Sequence, residues 1–453
     1  MSSVLTNGIP KIPGCRLLAN LPFGYIGTLS NTFYAALYRN TPKYANLTIE
    51  KKVNTSRLTA CNLFSRLVIY DRGQTTENRR HRTSDFRHRY CEWLDMTRFV
   101  HFALLAILFA ESTFAKSAIL ANESHADRPK AVDNLLAGSF NWTVSPPLVR
   151  PLEREGEQTY SVKDPTIVRY RGQWHLFCTI RGRERSHQIE YLRFDDWQNV
   201  DTAKRHLLKL TDGYFCAPQV FYFTPHKHWY LIYQVIDKSR KPALQPAYSK
   251  SANIAEPNSW TRPKLLFRAQ PKNVKRWIDF WVICEADRAH LFFTSLDGRM
   301  WRSDTKLADF PHGWSQPEIA LQGDVFEASH TYRLKGLNKS PGDKFLTIIE
   351  AQASGRRYYK AYVAERLDGQ WKPLAATRNK PFAGPVNTRP TGARWTDSFS
   401  HGELIRDGFD ETLTVNPAEV RFLFQGVSDK NKAGKKYGQI PWRLGILSPI
   451  RKY

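Results

Sequence analysis

Acidic residues are few in this 453-residue chain beside basic ones: 42 Asp and Glu stand against 67 Lys and Arg, a formal net charge of +25. A surplus of that size raises nucleic acid as a partner. The basic residues are spread widely, however, and no zinc-finger or other nucleic-acid motif accompanies them. We therefore expect no nucleic acid, and a basic surface suited to approaching acidic polymers. Cysteine is thin as well. The six are Cys15, Cys61, Cys91, Cys178, Cys216 and Cys284; none forms a Cys-x-x-Cys pair, which argues against structural zinc. Only the last three fall in what reads as the mature domain, where one disulfide with a thiol left over, or none, fits the count. Lying in apolar, strand-like runs, they suit small buried hydrophobes.

What is plentiful is apolar and aromatic surface, 42% and 13% of residues, enough for one large or two ordinary domains. Residues 1–95 stand apart: they are basic, with clusters such as Asn78-Arg-Arg-His-Arg82, and show no repeat or sustained periodicity. Met96-Thr-Arg-Phe-Val-His-Phe-Ala-Leu-Leu-Ala-Ile-Leu-Phe-Ala110 follows, with small residues up to Ala115. A Met, a basic residue, a short apolar core and a plausible cut after Ala115 make a secretory signal peptide over 96–115. The run is too short for a comfortable transmembrane helix, so membrane contact is expected only through this transient segment. Met96 then reads as the true start and 1–95 as a wrongly assigned N-terminal extension. The alternative is a genuine basic region before a membrane-anchoring or buried helix. Residues 116–138 read as a flexible lead-in to a domain over 139–453.

From about residue 140 the chain becomes repetitive. A strand of aromatic and apolar residues recurs as Trp174-His-Leu-Phe-Cys178, Trp229-Tyr-Leu-Ile-Tyr233, His290-Leu-Phe-Phe293, Lys344-Phe-Leu-Thr-Ile-Ile349 and Arg421-Phe-Leu-Phe424, roughly 55 to 75 residues apart. A further strand and a Trp follow in most units, at Trp197, Trp260, Trp314 and Trp371. Five copies of a multi-strand unit predict an all-β, five-bladed β-propeller. In that fold the first strand of each blade lines the central channel, so its polar residues converge.

Reading back from each repeated strand gives Asp164, Gln219, Asp279, Glu327, and His401 with Glu403, so that three blades are expected to deliver a carboxylate, Asp164, Asp279 and Glu327, from the corresponding position. Asp279 stands out inside the apolar run Trp277-Ile-Asp-Phe-Trp-Val-Ile-Cys284, because burying an unpaired charge is expensive. Like charges near one axis push pKa values apart, leaving one carboxyl as acid and another as base, which suits glycoside hydrolysis. Plainer roles exist for each. Asp164 before Pro165 can shape a turn, Asp279 can pair with Arg276, Glu327 can cap a backbone group, and His401 is either a ligand or a core histidine.

The run from about Phe140 onward resembles glycoside hydrolase family 62, the α-L-arabinofuranosidases, related to family 43. The segments that carry the likeness are Val162-Lys-Asp-Pro-Thr166, Phe215-Cys-Ala-Pro-Gln219, Trp277-Ile-Asp279, Val325-Phe-Glu327, Trp395-Thr-Asp-Ser-Phe-Ser-His-Gly-Glu-Leu-Ile-Arg-Asp407, Phe422-Leu-Phe-Gln-Gly426 and Ile440-Pro-Trp-Arg443. The resemblance implies an inverting hydrolase that removes arabinofuranosyl side groups from arabinoxylan or a related polysaccharide. It assigns Asp164 as general base, Glu327 as general acid and Asp279 as the carboxylate that tunes and orients the acid. It also implies a calcium ion (Ca2+) near His401, no organic cofactor, and sugar contacts from Tyr437, Arg443, Gln219 and Gln234. The pattern is broken at Pro165, Phe280, Ala328 and Val235, over 236–245, and near Asn416-Pro-Ala418, where an expected cysteine is absent. The carboxylates are kept while the sugar-contacting shell has drifted. A hydrolase of another glycan, such as an acidic one, and a non-catalytic glycan-binding propeller therefore stand as alternatives. The expected product is a secreted monomer, extracellular or periplasmic. Mass spectrometry of the native protein should find its N-terminus at Lys116; a peptide from 1–95 would overturn the reading of the start.

Overall fold

The computed structural model describes residues 131–335 and 344–450. Residues 1–95, the expected signal peptide over 96–115 and most of the expected lead-in therefore lie outside the described residues. The last part of the lead-in is seen: residues 131–136 form a short helix, and Leu135 is buried in the core.

Five sheets follow, each built on an up-and-down set of antiparallel strands, with a short parallel strand, Thr388–Pro390 or Thr414–Val415, added at one edge of two of them. The first four blades begin with the inner strands Thr159–Tyr170, Phe215–Phe223, Ile278–Cys284 and Glu327–Leu334, and each runs outward through three more strands in sequence order. The fifth is composite. Ser398–Leu404, Phe422–Val427 and Arg443–Pro449 are joined at the outside by Trp142–Val144, so a strand from the start of the domain closes the ring. The inner strands touch in cyclic order, each packing on the next and the last on the first. The five-bladed β-propeller read from the repeats is the fold.

Strands buried on both faces should be apolar throughout rather than alternating. Phe215–Phe223 is of this kind, with every residue but Tyr222 buried. The blades are glued by aromatic and branched side chains. Val168 and Phe177 of the first blade pack with Val220, Leu231 and Tyr233 of the second. Trp281 of the third stacks on His330 of the fourth, ring centroids 4.0 Å apart. Cys178, Cys216 and Cys284 are buried free thiols, the second of the two outcomes left open by the count.

Packing alone does not fix the angle between blades; a ring of hydrogen bonds does. Thr166 Oγ1 accepts from Val220 N (3.1 Å). Gln219 spans the next interface with both ends of its amide, accepting from Val282 N and donating to Val282 O, each 2.7 Å. Trp281 Nε1 donates to Thr331 O (2.9 Å), His330 Nδ1 to Gly402 O (2.6 Å), and Ile167 N to Glu403 Oε2 (3.2 Å), which returns to the first blade. Each blade thus sends one inner-strand side chain to the backbone of its neighbour. Arg406, ion-paired with Glu403 at 2.6 Å, secures the last joint through Ile167 O and Val220 O.

Gln219→Leu strands a buried N–H and C=O at one interface, and should cost about 1–3 kcal/mol for each group. Denaturant unfolding measures it, and an unchanged midpoint would show that the blade joint does not need this amide.

Candidate active site

Every inner strand carries a bulge at the same level, between Lys163 and Thr166, Cys216 and Gln219, Ile278 and Trp281, Glu327 and His330, and Ser400 and Gly402. An extra residue on one strand re-aims the side chains around it. In the first four blades the residue after the first of each pair has left-handed backbone: Asp164 (φ 46°), Ala217 (φ 52°), Asp279 (φ 58°) and Ala328 (φ 51°). Such a conformation is disfavoured for side-chain-bearing residues, Asp and Asn least so. The repeated bulge corrects one expectation. Asp164 and Asp279 hold equivalent positions, but Glu327 stands one residue earlier, level with Lys163, Cys216, Ile278 and Ser400.

A second ring of hydrogen bonds holds the bulges. Thr179 Oγ1 accepts from Ala217 N (2.9 Å), Gln234 Oε1 from Asp279 N (3.2 Å), Glu350 Oε2 from His401 N (2.7 Å) and Gln425 Oε1 from Asp164 N (2.8 Å). Each acceptor lies on the second strand of the preceding blade, directly across from the residue that opens that blade's bulge. At the remaining interface the equivalent residue is Thr294, opposite Ile278. Its buried hydroxyl has no hydrogen-bond partner among the described residues, because Asp279 Oδ2 takes the Ala328 N–H instead, at 3.1 Å.

The three carboxyls come together at this level, all buried. His401 Nδ1 lies between two of them, 3.5 Å from Asp164 Oδ1 and 3.7 Å from Asp279 Oδ2. Asp279 thus faces Ala328 and His401, not Arg276. Lys163 Nζ lies 3.9 Å from Asp164 Oδ2 and 5.5 Å from the centre of the Tyr437 ring. Glu327 Oε1 accepts from Arg357 Nη1 at 3.0 Å, and the same nitrogen contacts Glu350 Oε1.

These surroundings separate the carboxyls. Burial raises Asp164, but Lys163, His401 and the Thr179 hydroxyl outweigh it and hold the group below the usual carboxylate range. Burial and then Glu350 push Glu327 up to about 8, against the pull of Arg357 and Lys163. Burial, Glu327, Asp164 and Glu350 hold Asp279 well above its ordinary value. Burial also keeps His401 low, and so neutral near pH 7, despite Asp164 and Glu350. Two carboxyls with opposed shifts are the requirement for paired acid and base work. The sequence reading had Asp279 as the group that tunes Glu327. The foremost charge acting on Glu327 is Glu350, and Glu327 is in turn the foremost charge acting on Asp279.

The remaining residues divide. Tyr437 is 52% exposed at the rim, a free aromatic face beside Lys163. Arg443 opens the last strand opposite Gly426, half-buried. Gln234 is spent on Asp279 N and on the Tyr214–Cys216 pair. Gln219 is fully buried as the interblade strut described above, both ends of its amide bonded to Val282. Glu403 is committed to Arg406 and Ile167, away from the carboxyl cluster. Lys163, Glu350 and Arg357 were missed. Lys163 was in plain view beside Asp164, whereas Glu350 closes the apolar run after Lys344 and Arg357 follows a Ser-Gly turn, and neither position carries a local signal.

Calcium takes six to eight oxygen ligands. His401 offers a ring nitrogen already facing two carboxylates, and no group of three or more His, Cys, Asp or Glu among the described residues could hold an ion. The donor set does not match the expected calcium site, and no step is routed through a metal.

Comparison with known proteins agrees with this architecture. The chain is 36% identical over 319 residues to alpha-L-arabinofuranosidase C of Cellvibrio japonicus (strain Ueda107), covering 69% of this chain and 47% of that protein, so it spans about half the length of that relative. The catalytic domain of the Coprinopsis cinerea GH62 alpha-L-arabinofuranosidase superposes with a TM-score of 0.64 at 36% identity, covering 69% of this chain and 98% of that one. A GH62 hydrolase solved in complex with xylotriose gives 0.63 at 37% identity with the same coverage. The model of glycosyl hydrolase family 62 matches residues 141–448, and the chain belongs to that family.

Proposed function

We propose that the protein is an inverting α-L-arabinofuranosidase that removes arabinofuranosyl side groups from arabinoxylan or a related polysaccharide. The observation that carries the reading is the opposed shift of two buried carboxyls in one cluster, Asp164 downward and Glu327 upward. Asp164, ionised and flanked by Lys163, takes a proton from the attacking water. Glu327, still protonated near neutral pH, gives its proton to the departing glycosidic oxygen. Inversion needs the two groups on opposite faces of the sugar with room for water, about 6.5–9.5 Å apart. Asp279 and the neutral His401 fix the floor between them. Tyr437 offers an aromatic face to the C–H side of the sugar, and Arg443 a donor to its hydroxyls. The relative solved with xylotriose supports a xylan-type backbone. Export is part of the proposal and rests on residues 96–115.

Glu327→Gln and Asp164→Asn should each lower arabinose release from arabinoxylan by about 10²–10⁴-fold. Chromatography of the released sugars tests this, and a different released monosaccharide would keep the mechanism and move the substrate. In the parent, turnover should fall as pH rises through about 8, where Glu327 loses its proton, and at low pH only below the usual carboxylate range, where Asp164 gains one.

The same groups govern stability. A buried carboxyl with a raised pKa favours folding fully below its ordinary value of 4.5 and loses that contribution as pH rises through about 8. Glu327→Gln should therefore gain stability relative to the parent across that window, on the order of 5 kcal/mol by its upper end. Denaturant titrations of both proteins at pH 4.5 and 8.5 read the difference; a gap that stays constant would refute it.

A further inference from the structure

Glu350 breaks the pattern of its own position. Across the five blades the residue opposite the start of the bulge is Thr179, Gln234, Thr294, Glu350 and Gln425. Where this residue serves the next blade, accepting one backbone N–H is enough, and neutral Thr179, Gln234 and Gln425 do so. Glu350 does the same for His401 N, and accepts from Ser400 Oγ at 2.8 Å, with one carboxylate oxygen. A glutamine would meet that need. The second oxygen is the unexplained one, a fully buried charge set on Arg357.

Arg357 is held from two further sides. Its Nη1 reaches Glu327 Oε1 at 3.0 Å, and its guanidinium lies 4.2 Å from the centre of the Phe326 ring. One cation is thus stretched between the Glu350 carboxyl behind the site and the Glu327 carboxyl in front of it. Resting on the reading of Glu327 as the acid, we propose that the Glu350–Arg357 pair is the device that aims Glu327 and governs when it carries its proton. Glu350 competes for the guanidinium and keeps it from forming a full ion pair with Glu327. A full pair would hold Glu327 ionised and leave no proton to donate. The other charged or titratable groups around Glu327 are Lys163 and Asp164 on the first blade, Asp279 on the third and Tyr437 at the rim. These stay in place when the pair is altered.

The test is the pH dependence of kcat/KM for arabinose release by the full chain. In Glu350→Gln the amide oxygen keeps the His401 and Ser400 contacts, while Arg357 is released to Glu327. The alkaline limb should move to lower pH by about one unit or more. In Arg357→Gln the cation is gone and Glu350 stays, so the limb should move the other way. Opposite displacements are a signature that a merely structural role does not produce. Limbs that coincide with the parent's, or that move in the reverse sense, overturn the proposal even if the rate falls uniformly. Should Glu350→Gln fail to fold, Arg357→Gln at the half-buried rim decides alone. Glu327→Gln runs alongside. If it keeps the alkaline limb, the assignment of the acid has failed; if it abolishes the limb while the other two variants leave theirs unmoved, only the present inference has.

Discussion

The structure depends on side chains that hydrogen-bond to the backbone of the next blade. Two such rings run around the axis, one through Thr166, Gln219, Trp281, His330 and Glu403, the other through the acceptors that hold the bulges. A bulge leaves backbone groups outside the ladder, and buried groups of that kind must find partners. The second ring supplies them from the neighbouring blade. Neither ring works unless the blades sit at one spacing, so the satisfaction of the backbone and the convergence of the functional side chains are the same requirement.

At the interface where the ring would have used Thr294, the Asp279 carboxylate has taken over. A group with a functional placement therefore also closes a structural circuit, which fixes its orientation without a dedicated support. The environments of the two acids are drawn from different places. Asp164 is set by Lys163 from its own strand and by His401 from the fifth blade, Glu327 by two residues of its own blade. Groups that must behave differently are thereby given different neighbours while sharing one floor.

The blades were legible because their second strands are long aromatic and apolar runs at a steady spacing, and Asp279 was legible because an acid in such a run needs a reason. What could not be read was register. Glu327 was aligned with Asp164 and Asp279, yet the bulge sets it one residue apart. Gln219 was expected as a sugar contact from the resemblance; three residues past the bulge opening at Cys216, the same side chain forms the joint between blades. Glu350 and Arg357 matter only through pairings across strands, Glu327 with Glu350 and that acid with a cation beyond the next turn. Linear spacing holds no trace of these.

The composite fifth blade has a consequence in time. Thr143 pairs with Ser448, at the far end of the domain. Three blades and the four antiparallel strands of a fourth are continuous in the chain and can zip up as they emerge from the ribosome, but the circle stays open until the final strand of the domain has been made. Contacts so distant in sequence are slow to form. The site at the axis, which draws on the first, third, fourth and fifth blades, is therefore assembled in the last act of folding, and a chain released early would carry most of its sheets and none of its chemistry.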